Sequence, residues 1–135
     1  MTLKDILGSK PHKIVTVGKD RTVQDAVEIM HGENVSGIFV VDKKGKLVGL
    51  FTERDIVRCV FDKIPLETAI KSLGIRKLTT FDPSVEVHAA ISVASRQKIR
   101  HLPVVEGDKI IGMITFRDLV SYLLPEICYM SETTY

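Results

Sequence analysis

Two hydrophobic rhythms alternate along the chain. Ile14 to Val17 and Leu78 to Phe81 are short apolar or β-branched runs. After each run, apolar residues fall at i, i+3, i+4 and i+7: Val23, Ala26, Val27 and Met30 in one place, and Val87, Ala90, Ile91 and Ala94 in the other. The runs predict strands and the spacing predicts amphipathic helices. Ser36 to Asp42 with Leu47 to Phe51, and Arg100 to Glu106 with Ile110 to Ile114, are dense in Ile, Val and Phe and are joined by short polar loops. They predict two buried hairpins. Thr52 and Thr115 then open second helices, whose apolar residues Ile56, Val57, Val60 and Phe61, and Leu119, Val120, Leu123 and Leu124, keep helical spacing and predict a buried face.

The pattern is a repeat. Gly49-Leu50-Phe51-Thr52-Glu53-Arg54-Asp55-Ile56-Val57 recurs 63 residues later as Gly112-Met113-Ile114-Thr115-Phe116-Arg117-Asp118-Leu119-Val120, with five of the nine positions identical. Upstream the offset is 64, and the one-residue difference falls in the hairpin loop, Asp42 to Lys46 against Glu106 to Lys109, which is turn chemistry that tolerates a length change. The fold class expected is α+β: two β-α-β-β-α repeats, residues 1–63 and 64–125, packed with pseudo-two-fold symmetry so that two marginal units share a core. Leu3, Ile6 and Leu7 resemble Leu66, Ala69 and Ile70 as lead-in helices that cover the other copy, and residues 126–135 are expected to form a loose tail.

Composition narrows the functional class. With 135 residues, 44% hydrophobic and 27% charged, the chain can bury a core. The net charge is +2, with 11 basic and nine acidic residues in 1–65 and eight of each in 66–135. So even a spread argues against nucleic acid as a partner, because that needs a clustered basic surface. Cys59 and Cys128 form no zinc or disulfide pattern, which fits a reducing, cytoplasmic setting. The segment Met1 to Leu7 is too acidic and too short in apolar residues for a signal peptide, and no run approaches the roughly 18 apolar residues of a membrane crossing. His12, His31 and His88 have no acid or nucleophile at useful spacing, and there is no Walker loop or dinucleotide fingerprint. No catalytic residue, metal or catalytic cofactor is expected, and the chain is not expected to be an enzyme.

The chemistry concentrates in Thr52-Glu53-Arg54-Asp55 and Thr115-Phe116-Arg117-Asp118. Each sets a hydroxyl and a carboxylate in the first turn of a helix, where free N–H groups and the dipole favour a phosphate. A carboxylate accepts through both oxygens and suits the cis hydroxyls of a ribose. The same spacing is also a capping-box helix start, and Thr22-Val23-Gln24-Asp25 has it too. The two roles are compatible.

In their order and in both copies, these features resemble a pair of CBS domains, the Bateman module, over nearly the whole chain. The resemblance implies a free-standing regulatory sensor that binds AMP, ADP, ATP, S-adenosylmethionine or NAD in clefts between the repeats, the adenine nucleotides foremost. Occupancy would then alter an unidentified protein partner, and a homodimer is implied as well. Asp55 and Asp118 would hold ribose with Thr52 and Thr115 beside them. In the family's crossed geometry, Asp55 faces Arg100, His101 and the adjoining Leu102-Pro103, where Arg100 resembles a phosphate clamp, while Asp118 faces Ser36 and Gly37. Thr16, Thr80, Ile38 and Leu102 would flank the adenine, with core packing as the alternative for each. The Asp55 site would then prefer phosphorylated ligands. A structural dimerisation or scaffolding module, with the Thr-x-x-Asp elements acting only as caps, is the alternative function.

Overall fold

The computed structural model describes residues 1–9, 13–74 and 78–123; His12, Leu124, Cys128 and the expected tail lie outside them. The chain runs α1 (Leu3–Ser9), β1 (Thr16–Gly18), α2 (Val23–Glu33), β2 (Gly37–Val41), β3 (Leu47–Thr52) and α3 (Glu53–Phe61). A short 3-10 turn at Ile70–Leu73 then leads into α4 (Val87–Gln97), β4 (His101–Glu106), β5 (Lys109–Thr115) and α5 (Phe116–Leu123). This is a mixed α+β architecture in two repeats. Both first helices stop alike: Asn34 and Lys98 adopt left-handed conformations at φ 53° and 55°, and their N–H groups bond back to the last turn.

The chain separates into two units, Ile14–Leu78 and Met1–Lys13 with the chain from Thr79 onward. Main-chain hydrogen bonds explain this division. Leu3 N–H donates to Val85 O at 2.9 Å and Lys4 N–H to Pro83 O at 3.0 Å, so α1 is stitched to the second copy. Ile70 N–H donates to Arg21 O at 2.9 Å and Lys71 N–H to Lys19 O at 3.0 Å, the same stitch onto the first copy. The motif repeat thus divides the sequence near residue 63, whereas the packed units divide near residues 13 and 78. The ladder also sets the register of the lead-ins: Leu3 corresponds to Ile70 rather than to Leu66, which is 47% exposed.

Equivalent positions fill the two cores. Val23, Ala26, Ile38, Val40 and Ile70 pack in one unit, and Val87, Ala90, Leu102, Val104 and Leu3 in the other. Where sizes differ, they trade. Val17, Met30 and Phe51 stand against Phe81, Ala94 and Ile114, so a large residue in one position is offset by a small one elsewhere in the same core.

The expected first strand of the second copy is reduced. The first copy has a three-stranded sheet in the order β1-β2-β3, with β1 parallel to β2, while β4 and β5 form a two-stranded sheet with Phe81 bridged to Val104. Two prolines account for the difference. In the first copy, Phe39 N–H donates to Val15 O and Lys19 N–H to Val41 O; in the second copy these positions are Pro103 and Pro83, which carry no N–H. Only the bonds around Phe81 survive, from its N–H to Pro103 O and from Val105 N–H to its own carbonyl, both at 2.9 Å.

Leu3→Ala removes a fully buried side chain from a core formed mainly by the second copy. It is expected to cost about 2–5 kcal/mol in urea unfolding. Amide exchange should speed up in α4, β4 and β5 before it does in α2.

Candidate ligand site

Each second helix starts without a loop where its hairpin opens. Thr52 pairs with Gly37 and Thr115 with His101 across the hairpins. The first helical amides are satisfied across the same opening: Glu53 N–H donates to Ser36 O at 3.0 Å and Phe116 N–H to Arg100 O at 2.8 Å. Ser36 and Gly37 therefore lie beside Thr52 in one unit, and Arg100 and His101 beside Thr115 in the other.

Asp55 is the one buried charged residue among the described residues, at 5% exposure. Its Oδ2 accepts from Thr52 N–H at 2.9 Å and from the Thr52 hydroxyl at 3.3 Å, and its Oδ1 accepts from Arg58 Nη2 at 3.3 Å. Asp118 is half-buried, with Oδ2 accepting from Thr115 N–H at 2.8 Å and its own N–H donating to the Thr115 hydroxyl at 3.1 Å. Both are capping boxes.

Two further boxes are controls for that role. Thr22 N–H donates to Asp25 Oδ2 at 3.0 Å, with Arg21 Nε on the same oxygen at 3.1 Å. Thr2 N–H donates to Asp5 Oδ2 at 2.9 Å. The sequence reading did not single out the second of these, although Thr2-Leu3-Lys4-Asp5 shows the same spacing. The Thr22 amide and then Arg21 hold the Asp25 carboxyl below the usual carboxylate range, and the Thr2 amide does the same for Asp5. Neither carboxylate is buried as Asp55 is. A helix cap needs no burial, so the burial of Asp55 requires a further explanation.

The other expected contacts are scattered in character. Thr16, Thr80 and Arg100 are exposed, while Ser36 and His101 are half-buried. Ile38 and Leu102 lie in the two cores at 0% exposure, and Pro103 is fully buried.

Helix α3 departs from its sequence reading. Val57, Val60 and Phe61 are 68%, 72% and 84% exposed, and the buried face is Asp55 with Cys59, Ile56 being half-buried. Asp55 and Cys59 lie one turn apart on the helix and turn inward together. Burial pushes the Cys59 thiol upward, and the nearby Asp55 charge adds to it.

A family model described as CBS domain matches residues 2–62 and 70–125. The chain belongs to the CBS domain family. The CBS-domain containing protein ATU1752 from Agrobacterium tumefaciens superposes with a TM-score of 0.83 at 26% identity, over 91% of this chain and 93% of that one. The CBS domain pair of protein MJ0100, solved in complex with 5-methylthioadenosine and S-adenosyl-L-methionine, gives 0.79 at 28% identity over 93% and 96%. Inosine-5'-monophosphate dehydrogenase of Methanocaldococcus jannaschii is 32% identical over 79% of this chain, which spans 21% of that enzyme's length. Among the described residues no helix is long and apolar enough to cross a membrane.

A carboxylate whose pKa is lowered by folding contributes stability above its unfolded pKa and loses it as pH falls through the folded one. The Asp25 box is therefore expected to weaken below about pH 4. Melting temperatures measured from pH 7 down to pH 3 should fall less steeply for Asp25→Asn than for the wild type.

Proposed function

We propose that this CBS pair is a regulatory module without catalytic activity, which binds an adenosine-containing ligand through Asp55 and Asp118 and passes its occupancy to a protein partner. The burial of Asp55 carries the reading. A buried carboxylate is costly unless polar partners meet it, and capping alone leaves no reason to bury one. The ligands named for MJ0100 share an adenosine group, and a ribose diol is a donor pair suited to an ionised carboxylate. AMP, ADP, ATP and NAD offer the same group. Thr52 and Thr115, at helix starts, and the exposed Arg100 would serve a phosphate end, with His101 a weaker contributor. Thr16, Ser36, Thr80 and Pro103 complete the proposed contacts, whereas Ile38 and Leu102 would contribute main chain, their side chains being buried. The cytoplasm is the proposed compartment.

Thermal unfolding against AMP, ADP, ATP, S-adenosylmethionine, 5-methylthioadenosine and NADH tests this, with guanosine nucleotides as controls. A ligand at 100 times its Kd should add about 2.7 kcal/mol. Asp55→Ala and Asp118→Ala should remove that gain, beyond any loss of up to about 2 kcal/mol from the cap itself. Arg100→Ala should weaken AMP more than 5-methylthioadenosine.

A second reading is favoured by the exposed face of α3: a structural dimerisation module. It makes the same assembly proposal, a homodimer, because three large apolar side chains on successive turns of one helix ask for a cover. Phe61→Glu is expected to shift light-scattering mass from dimer to monomer. If no adenosine compound shifts the melting curve while Phe61→Glu splits a dimer, the scaffold reading replaces the sensor.

A further inference from the structure

We propose that the turn end of the first unit, where the β2–β3 loop, the end of β1 and the Ile70–Leu73 lead-in meet, is a docking surface for an acidic segment of a partner protein. It names where the protein partner of the regulatory reading binds, and it rests on that reading for what docking achieves, not for whether the surface binds. Five lysines stand there, Lys19, Lys43, Lys44, Lys46 and Lys71, against two aspartates, Asp20 and Asp42. That is a net +3 on one end of one unit, in a chain whose total is +2.

Main-chain bonds bring the three segments together. Lys19 N–H donates to Val41 O at 2.8 Å and Lys71 N–H to Lys19 O at 3.0 Å. The loop is held by Asp42, whose Oδ1 accepts from the Lys44 and Lys46 amides at 2.9 Å each, and Gly45 takes the left-handed φ of 80° that the turn needs. Both aspartates are engaged at home, Asp42 with its own loop and Asp20 with Lys71 Nζ at 2.7 Å. The Lys71 contact holds the Asp20 carboxyl below the usual carboxylate range, with the Lys19 and Lys43 charges adding to it. The Lys46 amide does the same for Asp42, with the Lys44 amide and the Lys19 and Lys44 charges adding. Lys43, Lys44 and Lys46 are exposed and Lys19 is half-buried, and among the described residues none of these four is in an ion pair. A loop preformed in this way presents its ammonium groups without a backbone ordering cost on binding.

The chemistry of the surface selects the partner. Its cations are lysines, point charges without the forked guanidinium that recognises phosphate, and Arg21 next to it is engaged by Asp25. Residues 18–20 and 42–46 include no aromatic side chain on which a base could stack and no apolar one in the loop to enter a bilayer. Carboxylates spaced along an extended segment match dispersed ammonium groups by charge alone. The surface is particular to the first copy. Lys19, Asp20 and Lys71 correspond to Pro83, Ser84 and Lys4, and the second loop, Glu106-Gly107-Asp108-Lys109, carries two carboxylates, so the equivalent end of the second unit has two lysines against two acids.

Fluorescence anisotropy of a labelled oligoglutamate peptide, titrated with the full chain, tests the surface. The wild type is expected to bind at low ionic strength and to release the peptide as salt is added. Lys43→Glu with Lys44→Glu should weaken binding about tenfold or more, and Lys43→Gln with Lys44→Gln should weaken it less. Lys4→Glu with Lys109→Glu makes the same charge change on the second unit and should leave the affinity within about twofold. Failure of the wild type to bind the peptide, or an equal loss in the two Glu pairs, overturns the proposal. So does binding of oligothymidylate or of phosphatidylserine vesicles as tight as that of the peptide and lost in the same Lys43 and Lys44 variant. The melting shift with adenosine compounds, measured on the same proteins, keeps the readings apart: a shift without peptide binding overturns the docking surface alone, and peptide binding without a shift overturns the ligand reading alone.

Discussion

The main-chain bonds from Leu3 to Val85 and from Ile70 to Arg21 fix which parts of the chain share a core. Each unit has a sheet and two helices of its own, but one side of its core is closed by a lead-in that precedes the other repeat in sequence. Burying Leu3, Ile6 and Leu7 is worth roughly 1.5–3 kcal/mol per side chain, a large share for a unit near the size limit of independent folding. The closure therefore couples the repeats through covalent connectivity. A contiguous fragment cut at the motif boundary would keep its own hairpin while losing its lid.

Within that frame the copies have diverged in ways that packing can absorb. Trading Val17, Met30 and Phe51 for Phe81, Ala94 and Ile114 keeps each core filled. Pro83 and Pro103 have the larger effect, because a missing N–H cannot be compensated by a neighbouring side chain, and a three-stranded sheet becomes a hairpin with a single bridge. The same substitution of Pro103 for Phe39 sits next to Arg100 and His101, where the first copy has Ser36 and Gly37. Backbone and side-chain divergence thus fall at one end of one strand, beside Thr115.

The four Thr-x-x-Asp boxes among the described residues show how little the motif alone says about ligands. All four place a carboxylate on the amide three residues before it, with Asp5 exposed and Asp25 half-buried. What sets Asp55 apart is its burial at 5% exposure, where the other three carboxylates are half-buried or exposed. Desolvation is then offset by Thr52 and Arg58.

Repeat, hairpins and helix starts were legible in the sequence because each rests on local pattern: Gly-Leu-Phe-Thr-Glu-Arg-Asp against Gly-Met-Ile-Thr-Phe-Arg-Asp, or a turn beginning at Asp42. The shortened strand was legible in principle, since Pro83 and Pro103 stand where ladder donors are needed. The face of α3 was not. Helical spacing of Ile56, Val57, Val60 and Phe61 identifies an apolar stripe but cannot say which side of the helix the core lies on. In the structure Asp55, held to the Thr52 amide, and Cys59 turn inward while three larger apolar residues stay exposed. Hydrophobic burial alone would favour the opposite rotation. A second copy of the chain, as proposed above, would cover the exposed stripe, and the proposed ligand would meet the inward carboxylate.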